Sequence, residues 1–265
     1  MSTQATVNTG QKESLPQEAT DNLLFADDVD MKFNKVQALR RVRLTVGYNE
    51  VVGLLGDNGA GKSTLIKVIN GFHRPTSGRV FFDGRQVDFH SPRDSRDSGI
   101  ETAYQDLALV NLMTISRNFF LGRELERKLG PFKFLDMKRM NQIAADSMAE
   151  VGLRNIRDMS ETVSFLSGGE RQAIAIGRAT FFGARLLILD EPTASISVAE
   201  TEWVLRLVSQ AKENGLSVIL ISHNAYEVFD VADRFVVLQQ GTNYADIKRE
   251  DTNAKELIEV IAGRK

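Results

Sequence analysis

The stretch Gly56-Asp57-Asn58-Gly59-Ala60-Gly61-Lys62-Ser63 decides the fold of this chain. It has the pattern G-x-x-x-x-G-K-[ST], in which glycines let the backbone curl so that successive N–H groups point at phosphate oxygens. The apolar run Val51–Leu55 before it is typical of a strand buried on both faces, and residues 62–70 after it have a helical pattern. An ordinary glycine turn does not need this context, so the stretch predicts a phosphate-binding loop. Lys62 would reach the β- and γ-phosphates, and the Ser63 hydroxyl would ligate Mg²⁺.

The composition indicates a globular protein and excludes several kinds of site. Of 265 residues, 42% are hydrophobic and 26% charged, close to the average for a folded domain. The 33 basic and 35 acidic residues give a net charge of −2, which argues against general nucleic-acid binding. The absence of cysteine excludes disulfides and thiolate metal sites. The N-terminus lacks a secretory pattern, and no apolar run approaches the ~18 residues of a membrane span, so we expect a cytosolic, soluble chain.

The patterns divide the chain into a tail and one α/β domain. Residues 1–22 are polar and aperiodic, which predicts a flexible tail, and residues 23–265 form the domain. Two further buried strands are predicted at 186–189 and 218–221, with an amphipathic helix between them that ends near Gly215. This order favours a parallel sheet with right-handed connections. Residues 106–165 are mostly helical by period, with Asp136 as a helix cap and no convincing buried strand, and predict an inserted helical subdomain.

Two acidic residues follow the strand predicted at 186–189. A solvated acidic turn would explain Asp190 and Glu191, but ligands of parallel sheets collect at the carboxyl ends of strands. We therefore expect Asp190 in the Mg²⁺ shell and Glu191 beside the attacking water.

A second glycine-lined helix start occurs at Leu166-Ser167-Gly168-Gly169-Glu170-Arg171-Gln172. Ser167 and Glu170 have the spacing of a plain capping box. The two glycines are poor helix formers, however, and favour close approach of a ligand. A single bound nucleotide does not need two glycine-lined helix N-termini from the same subunit.

The motifs LSGGERQ, GDNGAGKST and LLILDEPTA together resemble the ATP-binding subunit of an ATP-binding-cassette (ABC) transporter, over about residues 23–240. The resemblance implies an α/β fold whose P-loop NTPase core has a mostly parallel sheet, with a small antiparallel β part at the N-terminal side and the inserted helical subdomain. It implies ATPase activity with ATP and Mg²⁺ as cofactors. It also implies a head-to-tail homodimer in which the LSGG signature of one subunit acts on the γ-phosphate held by the other.

The resemblance assigns the site residues one by one. Gln105 matches the family's glutamine that senses Mg²⁺ and the attacking water, and His223 matches the switch histidine. Together with Glu191 they form the expected catalytic set. The expected metal ligands are Ser63, Gln105 and Asp190. Phe33 matches the aromatic residue that stacks on adenine, with Phe25 as a rival. The expected nucleotide-binding set is Phe33, Gly56, Asp57, Asn58, Gly59, Ala60, Gly61, Lys62, Ser63, Thr64, Ser167, Gly168 and Gly169.

One departure from the family pattern concerns the segment after the catalytic glutamate. Ala194-Ser195-Ile196-Ser197 stands where the family has S-A-L-D, so Ser197 replaces an aspartate. Lack of this acid, together with GDNGAGKS, YQDLALV and ISHN, resembles the carbohydrate-importer branch, in particular the single-cassette ATPases of fructose-type importers. The resemblance implies transmembrane permease subunits, an indirect periplasmic sugar-binding partner, no nucleic acid, and a place at the cytoplasmic face of the inner membrane.

Several alternatives stay open at this point. The chain could be an ABC ATPase of an amino-acid importer or exporter, a soluble ABC protein acting on ribosomes or DNA, or a nucleotide-dependent module without turnover. The apolar residues after Gln105 could receive a permease helix or could belong to the core of the helical subdomain. Those residues are Leu107, Leu109, Val110, Leu112 and Met113.

Overall fold

A computed structural model describes residues 15–104, 109–152, 158–194 and 196–264. Its strands are β1 (Leu24–Phe33), β2 (Val36–Val46), β3 (Val51–Leu55), β4 (Ser77–Phe82), β5 (Arg85–Val87), β6 (Ile100–Ala103), β7 (Glu126–Leu129), β8 (Phe132–Leu135), β9 (Leu186–Asp190), β10 (Ser217–Ile221), β11 (Arg234–Gln239) and β12 (Thr242–Lys248). Its helices are α1 (Gln17–Asp21), α2 (Lys62–Ile69), α3 (Pro92–Asp97), α4 (Ile115–Phe119), α5 (Met137–Glu150), α6 (Gly168–Phe181), α7 (Val198–Glu213), α8 (Ala225–Phe229) and α9 (Ala254–Ile261).

The main sheet has six strands in the order β12-β11-β3-β10-β9-β6. Every neighbouring pair in it is parallel except β11 and β12. A second, antiparallel sheet has the order β2-β1-β4-β5. The mixed α/β architecture and the small antiparallel part near the N-terminus confirm the predicted fold class.

The central strand β3 separates two apolar layers. All five of its residues are buried, and alternate side chains point to opposite faces of the sheet. Val52 and Leu54 pack with α2 and the antiparallel sheet, whereas Val51 and Leu55 pack with the helices of the other layer. Strands β9 and β10 follow the same rule, so the continuous apolar runs in the sequence reflect burial on both faces.

Between β6 and α6 the described residues contain the helices α4 and α5 and also a hairpin that the sequence patterns did not predict. The inserted helical subdomain over 106–165 stays a prediction. Asp136 accepts a hydrogen bond from the backbone N–H of Arg139 and caps α5, which confirms that expectation. Strands β7 and β8 pair with each other as a separate two-stranded sheet. All eight of their residues are exposed, so no burial pattern reveals them in the sequence.

Part of the segment predicted as a flexible tail is helical. Residues 17–21 form α1, and the Ala19 side chain is buried with Phe25 and Phe81. The side chain of Glu18 forms an ion pair with Arg43 at 3.1 Å. The prediction of a flexible tail is therefore wrong for residues 17–21. The sequence does not reveal this helix, because one small apolar side chain gives a five-residue helix no detectable period. Residues 1–14 lie outside the described residues.

Candidate nucleotide-binding site

The loop over residues 56–61 leaves β3 and enters α2 through three glycines with positive φ. Gly56, Gly59 and Gly61 have φ of 142°, 81° and 105°, conformations that side chains disfavour. A Cβ atom at Gly61 would lie 2.8 Å from Leu39 Cδ2 and 3.0 Å from the carbonyl oxygen of Ala38. The tight turn and the close approach of β2 therefore both require glycine here. The predicted strand, glycine loop and helix are confirmed as local structure.

Lys62 begins α2 and is buried with its charge directed at the loop. Its ammonium donates hydrogen bonds to the carbonyl oxygens of Gly56 at 2.6 Å and Asp57 at 3.0 Å. Burial lowers the pKa of Lys62, while the charges of Glu191, Asp190 and Asp57 act in the opposite direction. A cation thus lies among backbone carbonyls and carboxylates at the start of a helix, where anions are favoured.

Two carboxylates lie at the carboxyl end of β9. Burial, and next the charge of Glu191, raise the pKa of Asp190. Glu191 has a φ of 51°, in the left-handed region, where strained non-glycine residues are often functional. Its backbone N–H donates to the carbonyl oxygen of Ile221 at 3.0 Å, which ties this turn to the neighbouring strand β10.

His223 lies just beyond the end of β10 and faces Glu191. The distance from His223 Nδ1 to Glu191 Oε1 is 3.3 Å. The His223 side chain is 64% exposed, whereas that of Glu191 is 20% exposed, so the histidine stands at the surface over a more enclosed carboxylate. The sequence placed these two residues at strand ends, and the structure brings them together.

A cavity of about 400 Å³ opens beside the loop. Its lining includes the predicted residues Asn58, Gly59, Ala60, Gly61, Lys62, Ser63, Thr64 and Glu191. It also includes Val36, Gln37 and Ala38 from β2, and Gln240 and Gly241 from the turn after β11, which sequence reasoning missed. Gly241 donates to the carbonyl oxygen of Ala60 at 3.0 Å and accepts from the N–H of Arg40 at 2.7 Å. No local pattern signals contacts between segments about 180 positions apart.

Several predicted site residues are not part of this lining, namely Phe33, Gly56, Asp57, Asp190 and His223. Phe33 ends β1, and its ring lies edge-on to His73 with the centroids 5.1 Å apart. Its stacking on adenine therefore stays a prediction. Gln105 lies outside the described residues; the preceding strand β6 pairs Ala103 with Leu189 and thus ends at the same edge of the sheet as β9.

The signature begins α6 at some distance from this lining. Ser167 and Glu170 form the predicted capping box, in which the Ser167 N–H donates to Glu170 at 2.8 Å and the Glu170 N–H donates to the Ser167 hydroxyl at 3.3 Å. A Cβ at Gly168 would collide with the Ile196 side chain, and one at Gly169 would lie 3.1 Å from the Trp203 ring. The two glycines therefore permit close packing on α7, a reason that the sequence reasoning did not consider. Ser167, Gly168 and Gly169 do not line the cavity.

The serine at the family's aspartate position has a clear local role. Ser197 is the N-cap of α7 and forms a second capping box with Glu200. Its hydroxyl donates to Glu200 at 2.8 Å and its N–H donates to the same carboxylate oxygen at 3.0 Å. Serine and aspartate are both favoured N-caps, so the substitution preserves the start of the helix.

Glu200 connects the two capped helix starts. Its second carboxylate oxygen accepts a hydrogen bond from the Gly169 N–H at 3.4 Å. Donors from Ser197, Ser167 and Gly169 lower the pKa of Glu200 to about 2. One carboxylate thus faces the N-terminal ends of both α6 and α7, where negative charge is stabilised.

Together these features define a P-loop nucleotide-binding domain. The buried strand, glycine loop and lysine have the arrangement of a phosphate-binding loop, and the carboxylates and the histidine lie at the same edge of the sheet. In the part of the chain that the structure describes, no group of three or more histidines, cysteines or acids could hold a metal by itself. The Ser63 hydroxyl and the Asp190 carboxylate carry oxygen atoms of the kind that Mg²⁺ prefers, and Mg²⁺ commonly completes its shell with substrate phosphates and water.

Comparison with known proteins identifies the family. The model of the ABC transporter family matches residues 39–194, and the chain belongs to that family. It is 45% identical to the xylose/arabinose import ATP-binding protein of Sulfolobus acidocaldarius, over 91% of this chain and 94% of that protein. It is 38% identical to the fructose import ATP-binding protein of Rhizobium meliloti, over 93% and 96% of the two chains.

Solved structures have the same fold. An ATP-binding cassette of an ABC transporter in its ADP conformation aligns with a TM-score of 0.77 at 25% identity, over 91% of this chain and 99% of that one. A dimeric cassette in a post-hydrolysis state with ADP and Pi aligns with a TM-score of 0.70 at 23% identity, over 85% and 98%. Among the described residues, no helix is long and apolar enough to cross a membrane.

We predict that Glu200→Gln lowers stability at neutral pH, because the amide replaces a carboxylate that faces two helix starts. The pKa of Glu200 is depressed from 4.5 to about 2, so its contribution is complete above about pH 4.5 and is lost as the pH falls through about 2. Urea unfolding from pH 7 to pH 3 should therefore show a difference from wild type that shrinks with falling pH.

Glu202→Gln on the same helix is the matched control, since the only ion pair of Glu202 among the described residues is with Arg206 at 3.9 Å. It should unfold like wild type throughout. Equal effects of the two substitutions would contradict a connecting role for Glu200.

Proposed function

We propose that this chain is the ATP-hydrolysing subunit of an importer for a small sugar. Two sugar-import relatives align over nearly their whole length, which supports this substrate class. The chain would act on the cytoplasmic face of the inner membrane, attached through transmembrane permease subunits and linked indirectly to a periplasmic sugar-binding protein. The observation that carries the proposal is the contact of Glu191 with His223 beside the buried Lys62.

The nucleotide phosphates bind in the glycine loop. Backbone N–H groups of residues 56–61 and the N-terminal end of α2 face the phosphate oxygens, and Lys62 supplies the cation. Thr64, which follows Ser63 in α2, also lines the cavity. Val36 and Ala38 provide an apolar side of the same cavity, and Phe33 is the proposed stacking partner of adenine.

Magnesium would be held by the Ser63 hydroxyl, Asp190 and Gln105, together with phosphate oxygens. The ion would offset negative charge that develops on the transferring phosphoryl group. Asp190 fits this role because its half-buried carboxylate lies near Lys62 and Glu191.

Hydrolysis depends on Glu191 as the general base. Its carboxylate accepts the proton of the attacking water. The residue follows the end of β9 with a left-handed φ of 51°. His223 contacts Glu191 and is positioned to sense the γ-phosphate at the surface of the site. Because Ser167, Gly168 and Gly169 do not line the cavity of their own chain, a head-to-tail homodimer would supply them from the second copy.

The apolar residues after Gln105 provide the proposed contact with the permease. Leu112 is 88% exposed and Val110 is 40% exposed, whereas Leu109 packs against the core. Of the two alternatives for these residues, Leu109 thus fits the core, whereas Leu112 and Val110 are available for the permease contact. Leu107 lies outside the described residues.

We predict that Glu191→Gln retains ATP binding and lowers phosphate release about 10²–10⁴-fold, the usual contribution of a positioned base. Lys62→Ala should weaken binding itself. Fluorescent-ATP titration and phosphate release on the purified chain separate the two effects, with Glu202→Gln as the charge control. Hydrolysis near the wild-type rate in Glu191→Gln would overturn the assignment of the base.

We also predict that Leu112→Glu leaves basal ATPase and thermal stability unchanged, because the side chain is exposed. Sugar uptake and substrate-stimulated ATPase in the assembled transporter should fall together. Ile258→Glu, at an exposed site on α9, is the control and should leave uptake intact. Normal uptake by Leu112→Glu would place the permease contact elsewhere.

A further inference from the structure

The β7–β8 hairpin exposes an apolar tip. Gly130, with a φ of 61°, and Pro131 form its two-residue turn. Leu129 and Phe132 are directly opposed on either side of this turn and are 68% and 67% exposed. Phe134 follows on the same face, with its ring 6.4 Å from that of Phe132. Large apolar side chains grouped at an exposed tip indicate a contact surface.

Basic residues lie immediately behind the tip. Lys128 and Lys133 are directly opposed in the next register pair. Like charges opposed across a hairpin destabilise it, so internal stability does not explain this pair. Lys133 forms an ion pair with Glu126 at 2.7 Å, whereas no ion pair of Lys128 or Arg127 occurs among the described residues. Residues 123–139 contain six basic and three acidic residues, in a chain whose net charge is −2.

We propose that this hairpin inserts tip-first into the surface of an anionic lipid bilayer. Leu129 and Phe132 enter the boundary between headgroups and acyl chains, and Lys128, Lys133 and Arg127 reach the lipid phosphates. Successive strand residues rise about 3.4 Å, which sets the lysine pair at headgroup depth when the tip pair is immersed. A protein partner would need an apolar surface of its own to cover the tip. At an anionic bilayer the apolar tip matches the acyl-chain layer, and the lysine pair behind it matches the headgroup layer.

Such a contact is weak and reversible, because two immersed side chains and three cations provide little free energy compared with a lipid anchor. It would hold the subunit near its permease without replacing the protein contact at Leu112. The inference rests on the proposed location of the chain at the membrane. Its test, however, measures lipid binding without ATP or permease. Its failure is thus distinct from failure of the ATPase assignment.

The test is co-sedimentation of the purified 265-residue chain with vesicles of phosphatidylcholine alone or with added phosphatidylglycerol. We expect binding to the anionic vesicles only, weakened by salt. The Leu129→Ser/Phe132→Ser variant should lose binding, and Lys128→Gln/Lys133→Gln should weaken it by about fivefold for each lysine removed. Phe72→Ser, which alters an exposed phenylalanine elsewhere, should bind like wild type.

Basal ATPase should be unchanged in all three variants, since every altered side chain is exposed. Equal binding to neutral and anionic vesicles, or wild-type binding by the tip variant, would overturn the proposal. So would tip-dependent binding seen only when the permease is present, because the partner would then be a protein.

Discussion

The parallel alignment of β3, β10 and β9 is the constraint on which the rest of this structure depends. Ile221 of β10 pairs with Leu54 on one side and with Asp190 on the other. This register brings the glycine loop, the two carboxylates and His223 to one edge of the sheet. A shift of one residue in either pairing would turn every side chain of a strand to the opposite face. The alternate residues of each strand pack in two different apolar clusters, and close packing in both opposes such a shift. The core therefore determines the geometry of the site.

A second set of contacts joins the signature to the segment after Glu191. Gly168 and Gly169 allow α6 to pack on Ile196 and Trp203, and Glu200 accepts hydrogen bonds from both helix starts. The signature and the segment after Glu191 are therefore connected within one subunit by packing and by one shared carboxylate. If a second copy binds its nucleotide against this surface, a movement of α6 would be transmitted to the start of α7 through these contacts. Ser197 maintains this arrangement because serine caps the helix as aspartate would.

Much of the core and much of the site could be predicted from the sequence, for specific physical reasons. The strands contain the continuous apolar runs 51–55, 186–189 and 218–221, and the loop, the carboxylates and His223 come at the ends of these runs. Residues that enter the cavity from other segments, such as Gln37 and Gly241, have no local pattern, since long-range pairing alone places them there. The exposed hairpin was missed because it buries nothing, and α1 because its anchor is one alanine. The packing role of Gly168 and Gly169 could not be predicted, because it depends on where α7 and the residues before it lie in the fold.

The claim that two copies complete each active site is tested most directly by mixing two inactive variants. Lys62→Ala should lose phosphate binding, and Ser167→Arg should block the signature, so each variant alone should hydrolyse little ATP. In a mixed dimer, Lys62 of one subunit and Ser167 of the other restore one intact site. Phosphate release should then recover to about a quarter of the wild-type rate if the sites act independently, because about half of a random mixture is heterodimer with one working site of two. A mixture no more active than the separate variants, or full activity of Ser167→Arg alone, would contradict the shared site.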